Sequence, residues 1–116
     1  MPTLLVCESC QRPDGAPSPR QDADALEAVL QRHGLSEAIS VRLSDCMGGC
    51  ENPVSIGLQG YGMASYVFSG VDPAADSEDI AATCRLFLDS ESGWIDDARP
   101  CGRLRTCLRA RLPALP

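Results

Sequence analysis

Thr3-Leu4-Leu5-Val6-Cys7-Glu8-Ser9-Cys10 is an apolar run that ends in a cysteine pair, and Ile39-Ser40-Val41-Arg42-Leu43-Ser44-Asp45-Cys46-Met47-Gly48-Gly49-Cys50 repeats that plan. Thr3 to Val6 reads as a buried strand running directly into Cys7. Ile39, Val41 and Leu43 alternate with polar residues, the period of a half-buried strand that stops just before Cys46. Each cysteine pair therefore lies at a strand end or in the loop beyond it. Brought together, two such loops present four thiols to one point.

Outward from these strands, Gln11 to Arg20 contains three prolines and a glycine and is expected to be loop. An amphipathic helix is predicted over Asp22 to His33, with Leu26, Val29, Leu30 and His33 on one face and Gly34 as its stop. Pro53 precedes a third alternating run, Val54, Ile56 and Leu58. Gln59-Gly60-Tyr61-Gly62 reads as the turn of a hairpin whose second strand covers Met63 to Phe68. After the Asp72-Pro73 break, Ser77 is expected to cap a second helix with Ile80, Cys84, Phe87 and Leu88 on its face. Ser90 to Asp97 reads as a polar turn around Trp94, and Arg99 to Arg111 as a short Arg-rich helix ended by Pro113. The order β-α-β-β-β-α is the thioredoxin-like plan, an α/β fold with a mixed four-stranded sheet packed with helices. The 116 residues fit one domain, residues 1–116.

A Cys-x-x-Cys loop aims two sulfurs at one metal while its backbone N–H groups point at those sulfurs. The Cys46-x-x-x-Cys50 loop does the same with one residue more, and Gly48 and Gly49 let the backbone wrap closely. Cys7, Cys10, Cys46 and Cys50 are thus the candidate ligands of a shared centre. Four thiolates serve Zn2+, [2Fe–2S] and [4Fe–4S] alike. The chain has enough apolar sequence for its own core, which favours a redox cluster over a structural ion, and a [2Fe–2S] unit with two thiolates per iron matches one pair per loop. A zinc or cobalt module, structural or metal-delivering, is the alternative. A thiol–disulfide oxidoreductase using Cys7 and Cys10, with Pro53 opening the third strand, is the second. Against it, the proline-rich loop after Cys10 separates the dithiol from any helix N-terminus, and Glu8 opposes thiolate formation.

Seven cysteines, with no basic n-region or long apolar stretch in Met1 to Val6, point to reduced thiols in the cytoplasm rather than disulfides. No apolar run is long enough to span a membrane. The net charge of −6 is uneven: residues 1–98 hold all 16 acidic groups and five arginines, and residues 99–116 hold five arginines and no acid. Such a body would repel nucleic-acid phosphate and suits docking to a redox partner protein with a basic patch. The exposed edge of the hairpin would permit a homodimer. Cys84 is expected to be a buried structural thiol, Cys101 and Cys107 incidental, His33 a helix-end residue, and Trp94 and Tyr66 packing residues. No nucleophile–base motif or phosphate loop is present, so an electron carrier or metal-binding protein is expected rather than an enzyme.

The plan, and Cys46-x-x-x-Cys50 after the second strand, resemble the thioredoxin-like [2Fe–2S] ferredoxins, although those proteins separate their first two ligands more widely than Cys7 and Cys10. Nearly the whole chain is similar to a family of short bacterial proteins known as predicted metal-binding and often found near cobalamin-biosynthesis genes. The matching pieces are Cys7-x-x-Cys10-Gln11-Arg12, Cys46-x-x-x-Cys50, Tyr66 to Pro73, Arg99-Pro100, Leu104-Arg105 and Arg111-Leu112-Pro113. Val54 stands where many members carry a further cysteine, and Ala64 where an aromatic is usual. The resemblance implies metal binding in a cytoplasmic, cofactor-related setting.

Overall fold

The computed structural model describes residues 2–8, 18–45 and 54–114. Strand β1 (Thr3–Cys7) is followed by helix α1 (Pro19–Arg32) and strand β2 (Ser40–Ser44), and β1 and β2 pair in parallel. Helix α1 starts three residues earlier than the loop-like prolines suggest. Ser18 is its N-cap: the Ser18 hydroxyl accepts from Gln21 N at 3.2 Å, and Gln21 Oε1 accepts from Ser18 N at 2.8 Å. This reciprocal capping box, with Pro19 in the first turn where its missing N–H costs nothing, overrides the proline signal. Leu26, Val29 and Leu30 are buried as the periodicity requires. His33 is the C-cap, and Gly34 follows at φ +71°, the left-handed position that ends the helix.

Strand β3 (Ile56–Gln59) pairs antiparallel with β1, and β4 (Ser65–Phe68) pairs antiparallel with β3, as the hairpin pattern predicts. Helix α2 (Ser77–Asp89) follows, with Ile80, Cys84 and Phe87 buried. Its N-cap is Asp76 rather than Ser77. The Asp76 carboxylate makes no capping bond to the helix, because it accepts instead from Asp72 N at 2.8 Å and from Arg103.

The expected C-terminal helix is the main departure. A 3-10 turn at Arg99–Cys101 and a single helical turn, α3 (Leu104–Cys107), lead into a fifth strand, β5 (Leu108–Leu112), antiparallel to β4. The sheet therefore has five strands in the order β2-β1-β3-β4-β5. Leu108, Ala110 and Leu112 alternate with Arg109 and Arg111, a period of two that fits a strand as well as the Arg content suggested a helix. The hairpin edge left open in the sequence reading is covered by β5, so the outer edge on that side is the exposed strand β5 itself.

Leu4 and Val6 of β1, Ile56 and Leu58 of β3, and Tyr66 and Phe68 of β4 enter one core with the apolar faces of α1 and α2. Alternate residues, among them Thr3, Leu5, Gln59, Ser65 and Val67, occupy the opposite face and are half-buried or exposed. Among the described residues no helix is long and apolar enough to cross a membrane.

A candidate cysteine centre at the strand ends

Cys7 is the last residue of β1 and lies in register with Ser44, the last residue of β2. Because the two strands are parallel, both chains leave the sheet at the same end. Glu8 N donates to Ser44 O at 2.9 Å, and Cys7 N donates to Ser55 O at 3.0 Å. The end of β1 is thus held on one side by β2 and on the other by the chain entering β3. Here the neighbour pairing changes from parallel to antiparallel, the kind of strand-end position where α/β sheets present ligand sites. The Cys7 side chain is fully buried, and alternation puts it on the face of Thr3 and Leu5, away from Leu4 and Val6. Cys10, Cys46 and Cys50 lie outside the described residues, as do Gly48, Gly49 and Pro53.

The other thiols are placed differently. Cys84 sits on the inner face of α2 and is buried, as its helical spacing predicts; burial pushes its pKa up to about 12, with a smaller contribution from nearby Cys101. Cys101 and Cys107, expected to be incidental, are also core residues. Burial raises the Cys101 pKa, opposed by a hydrogen bond with Thr83 and by the positive charge of Arg105. Among the described residues, no group of three or more His, Cys, Asp or Glu side chains is placed to hold a metal ion. These three thiols are packing groups.

The Arg-rich segment folds back onto the body through specific bonds. Arg103 Nε donates to Asp76 Oδ1 at 2.8 Å, while Arg103 Nη2 donates to Asp76 Oδ2 at 2.6 Å and to Gly70 O at 2.7 Å. The buried Asp76 carboxyl is held below the ordinary carboxylate range, chiefly by the Arg103 hydrogen bonds. Arg103 N also donates to Asp79 Oδ2 at 3.1 Å, across the preceding Gly102. That glycine has φ +60°, and a Cβ there would run into the Asp79 carboxylate. Asp72-Pro73 and Asp76 read in the sequence only as a break before a helix; an arginine far along the chain was no local signal for this clasp.

Tyr66 and Trp94 both serve packing, with added polar roles. Tyr66 Oη donates to Gly93 O at 2.7 Å and accepts from Ile95 N at 2.8 Å, while its ring lies edge-on to Phe87. The Arg111 guanidinium stacks over the Trp94 ring at 4.0 Å. His33 Nε2 lies 3.4 Å from Glu78 Oε2, and its carbonyl accepts from Arg85 Nη2 at 2.9 Å, tying the end of α1 to α2.

A family model described as "Protein of unknown function (DUF1636)" matches residues 4–114. A comparison with curated proteins finds no match. Among solved structures, a thioredoxin-like [2Fe–2S] ferredoxin from Aquifex aeolicus is similar, with 21% identity and a TM-score of 0.49, over 68% of this chain and 74% of that one.

Proposed function

We propose, for a chain that belongs to the DUF1636 family, that it is an iron–sulfur electron carrier in which Cys7, Cys10, Cys46 and Cys50 hold a [2Fe–2S] cluster. The region shared with the family includes both cysteine pairs. The observation that carries the reading is the parallel register of Cys7 with Ser44. Adjacent strands lie about 4.8 Å apart. Covalent reach then keeps the Cα of Cys46 within about 7 Å of Ser44 and that of Cys10 within about 11 Å of Cys7. The two chain segments that lead to the cysteine pairs thus leave the sheet at the same end, which an antiparallel β1–β2 arrangement would forbid.

The donor set suits the group. A buried thiol at a strand end can serve as a ligand shielded from water, and four thiolates complete a [2Fe–2S] unit. When bound, such a cluster supplies one-electron transfer. The chain's own part would be to hold the ligands beyond the ends of the β1–β2 pair, where backbone N–H groups donated to the sulfurs would tune the potential. The acidic body would dock a redox partner protein carrying a basic patch.

Anaerobic purification followed by visible absorption and metal analysis tests the reading. A brown protein with absorption beyond about 400 nm and equal iron and sulfide supports it. A colourless protein with one tightly held zinc overturns it in favour of a zinc module. A metal-free protein with a reversible Cys7–Cys10 disulfide overturns it in favour of a dithiol oxidoreductase.

A further inference from the structure

A cavity of about 140 Å3, lined by none of the four paired cysteines, opens between β4, β5, α2 and the segment 95–101. Its walls are the buried Tyr66, Phe68, Thr83, Ile95 and Cys101 with the half-buried Ala98, and the exposed Arg105, Leu108 and Arg111 stand at its mouth. The volume is close to the roughly 150 Å3 that, in an unrelated engineered protein, takes up a benzene molecule.

The polar atoms in the walls are already used. Tyr66 Oη is engaged by Gly93 O and Ile95 N, Thr83 Oγ1 donates to Asp79 O at 2.7 Å, and the Cys101 thiol is paired with Thr83. The interior therefore offers a ligand apolar and aromatic surface, with no hydrogen-bonding demand of its own. The mouth is the opposite. The Arg105 side chain makes no hydrogen bond or ion pair among the described residues, and the nearby Asp97 carboxylate is taken by Arg99 at 2.7 Å. Arg111 gives its π face to Trp94 and one Nη1 N–H to Ile95 O at 3.5 Å, which leaves its other N–H groups available to an anion. In a chain of net charge −6, two arginines at the rim of an apolar pocket are a local reversal of sign.

From this arrangement we infer a second binding site, one that takes a compact apolar carboxylate, its ring or branched chain in the Tyr66–Phe68–Ile95 pocket and its carboxylate on Arg105 and Arg111. Aromatic walls select a flat or branched body of about six to eight heavy atoms, on the scale that a cavity of this volume accepts. A guanidinium selects the carboxylate over a neutral polar group through charge-assisted hydrogen bonds. The site is independent of the cluster reading, since none of its residues belongs to the cysteine pairs.

The test is a titration of the isotope-labelled full chain by NMR with three probes: benzoate, its neutral counterpart benzyl alcohol, and inorganic phosphate. The inference expects saturable benzoate shifts at Ile95, Ala98 and Leu108, and binding about tenfold tighter than that of benzyl alcohol. Phosphate, which lacks the apolar body, should not displace benzoate. Arg105→Gln, at an exposed side chain whose loss should leave the fold intact, should weaken benzoate about tenfold and leave benzyl alcohol unchanged. Ala98→Leu, which fills the pocket, should abolish both. Equal binding of benzoate and benzyl alcohol, shifts centred elsewhere, or an unchanged benzoate affinity in Arg105→Gln would each overturn the assignment.

Discussion

Cys7 and Cys84 are both buried, yet they occupy different places on their elements. Cys84 points from α2 into an apolar interior, where no charge stabilises a thiolate, and its pKa stands near 12. Cys7 is the last residue of a strand, beside two chain segments that each lead to further cysteines. The two thiols are equally buried, and what separates them is the place of each residue on its element.

The largest effect that could break this contrast is spectroscopic. Cys7→Ser should abolish the visible absorption of the anaerobic protein, and Cys46→Ser should do the same, while Cys84→Ala keeps it. Far-UV circular dichroism of all three should show the folded α/β signature, which separates loss of a ligand from loss of the fold. If Cys84→Ala bleached the protein and Cys7→Ser did not, the contrast would be reversed. The reactivity of Cys84 sharpens it: with a pKa of about 12, only about one molecule in ten thousand carries the thiolate at pH 8. In native protein it should resist a thiol reagent that labels it rapidly after denaturation; fast native labelling would contradict its placement.

Next in size is the clasp that holds the C-terminal segment, Arg103 on Asp76 and Gly70. Asp76→Ala removes the partner of Arg103. Breaking a fully buried ion pair costs about 3–5 kcal/mol, and the half-exposed Arg103 side chain, which can rehydrate, reduces this to about 2–3 kcal/mol. The Asp76 pKa is lower folded than unfolded, so its stabilisation is present above the ordinary carboxylate pKa and disappears as pH falls through the depressed value. The stability gap between wild type and Asp76→Ala should thus be constant from pH 6 to about 5 and shrink below about pH 4. Urea titrations at these pH values measure it; a gap that widens in acid would refute the assignment. Gly102→Ala strikes the same region through the backbone. A positive φ and the adjacent Asp79 should together cost about 1–3 kcal/mol, with no change in the cysteine spectrum.

What could be read from the sequence followed the range of its signals. Local periodicity placed β1, α1, β2, the hairpin and α2, because each is marked by its own apolar spacing. The residues that depended on distant partners were harder. Cys101 and Cys107 look polar in context because arginines flank them, yet the chain turn at Gly102 and the Asp76–Arg103 clasp carry them into the core. Strand β5 was missed because Arg-rich composition outweighed the alternation of Leu108, Ala110 and Leu112, and because only the free edge of β4 calls for a fifth strand. For the candidate site, the spacing of Cys7, Cys10, Cys46 and Cys50 was legible. The register that sets Cys7 beside Ser44 was not, since strand pairing is a tertiary property.

The smallest predicted effect falls on the cysteine side. Ser18→Ala deletes one half of the capping box that starts α1 and should cost about 1 kcal/mol, enough to lower the melting temperature by a few degrees. The first turn of the helix would fray, and the segment joining Cys10 to the body would lengthen by a few residues. Loop-closure entropy grows only with the logarithm of length, so such lengthening changes the cost of bringing Cys10 to the strand ends by a few tenths of a kcal/mol at most. The variant should therefore lose thermal stability while retaining its full visible spectrum. Loss of the spectrum in Ser18→Ala would mean that the start of α1, and not the parallel strand pair alone, positions the thiols.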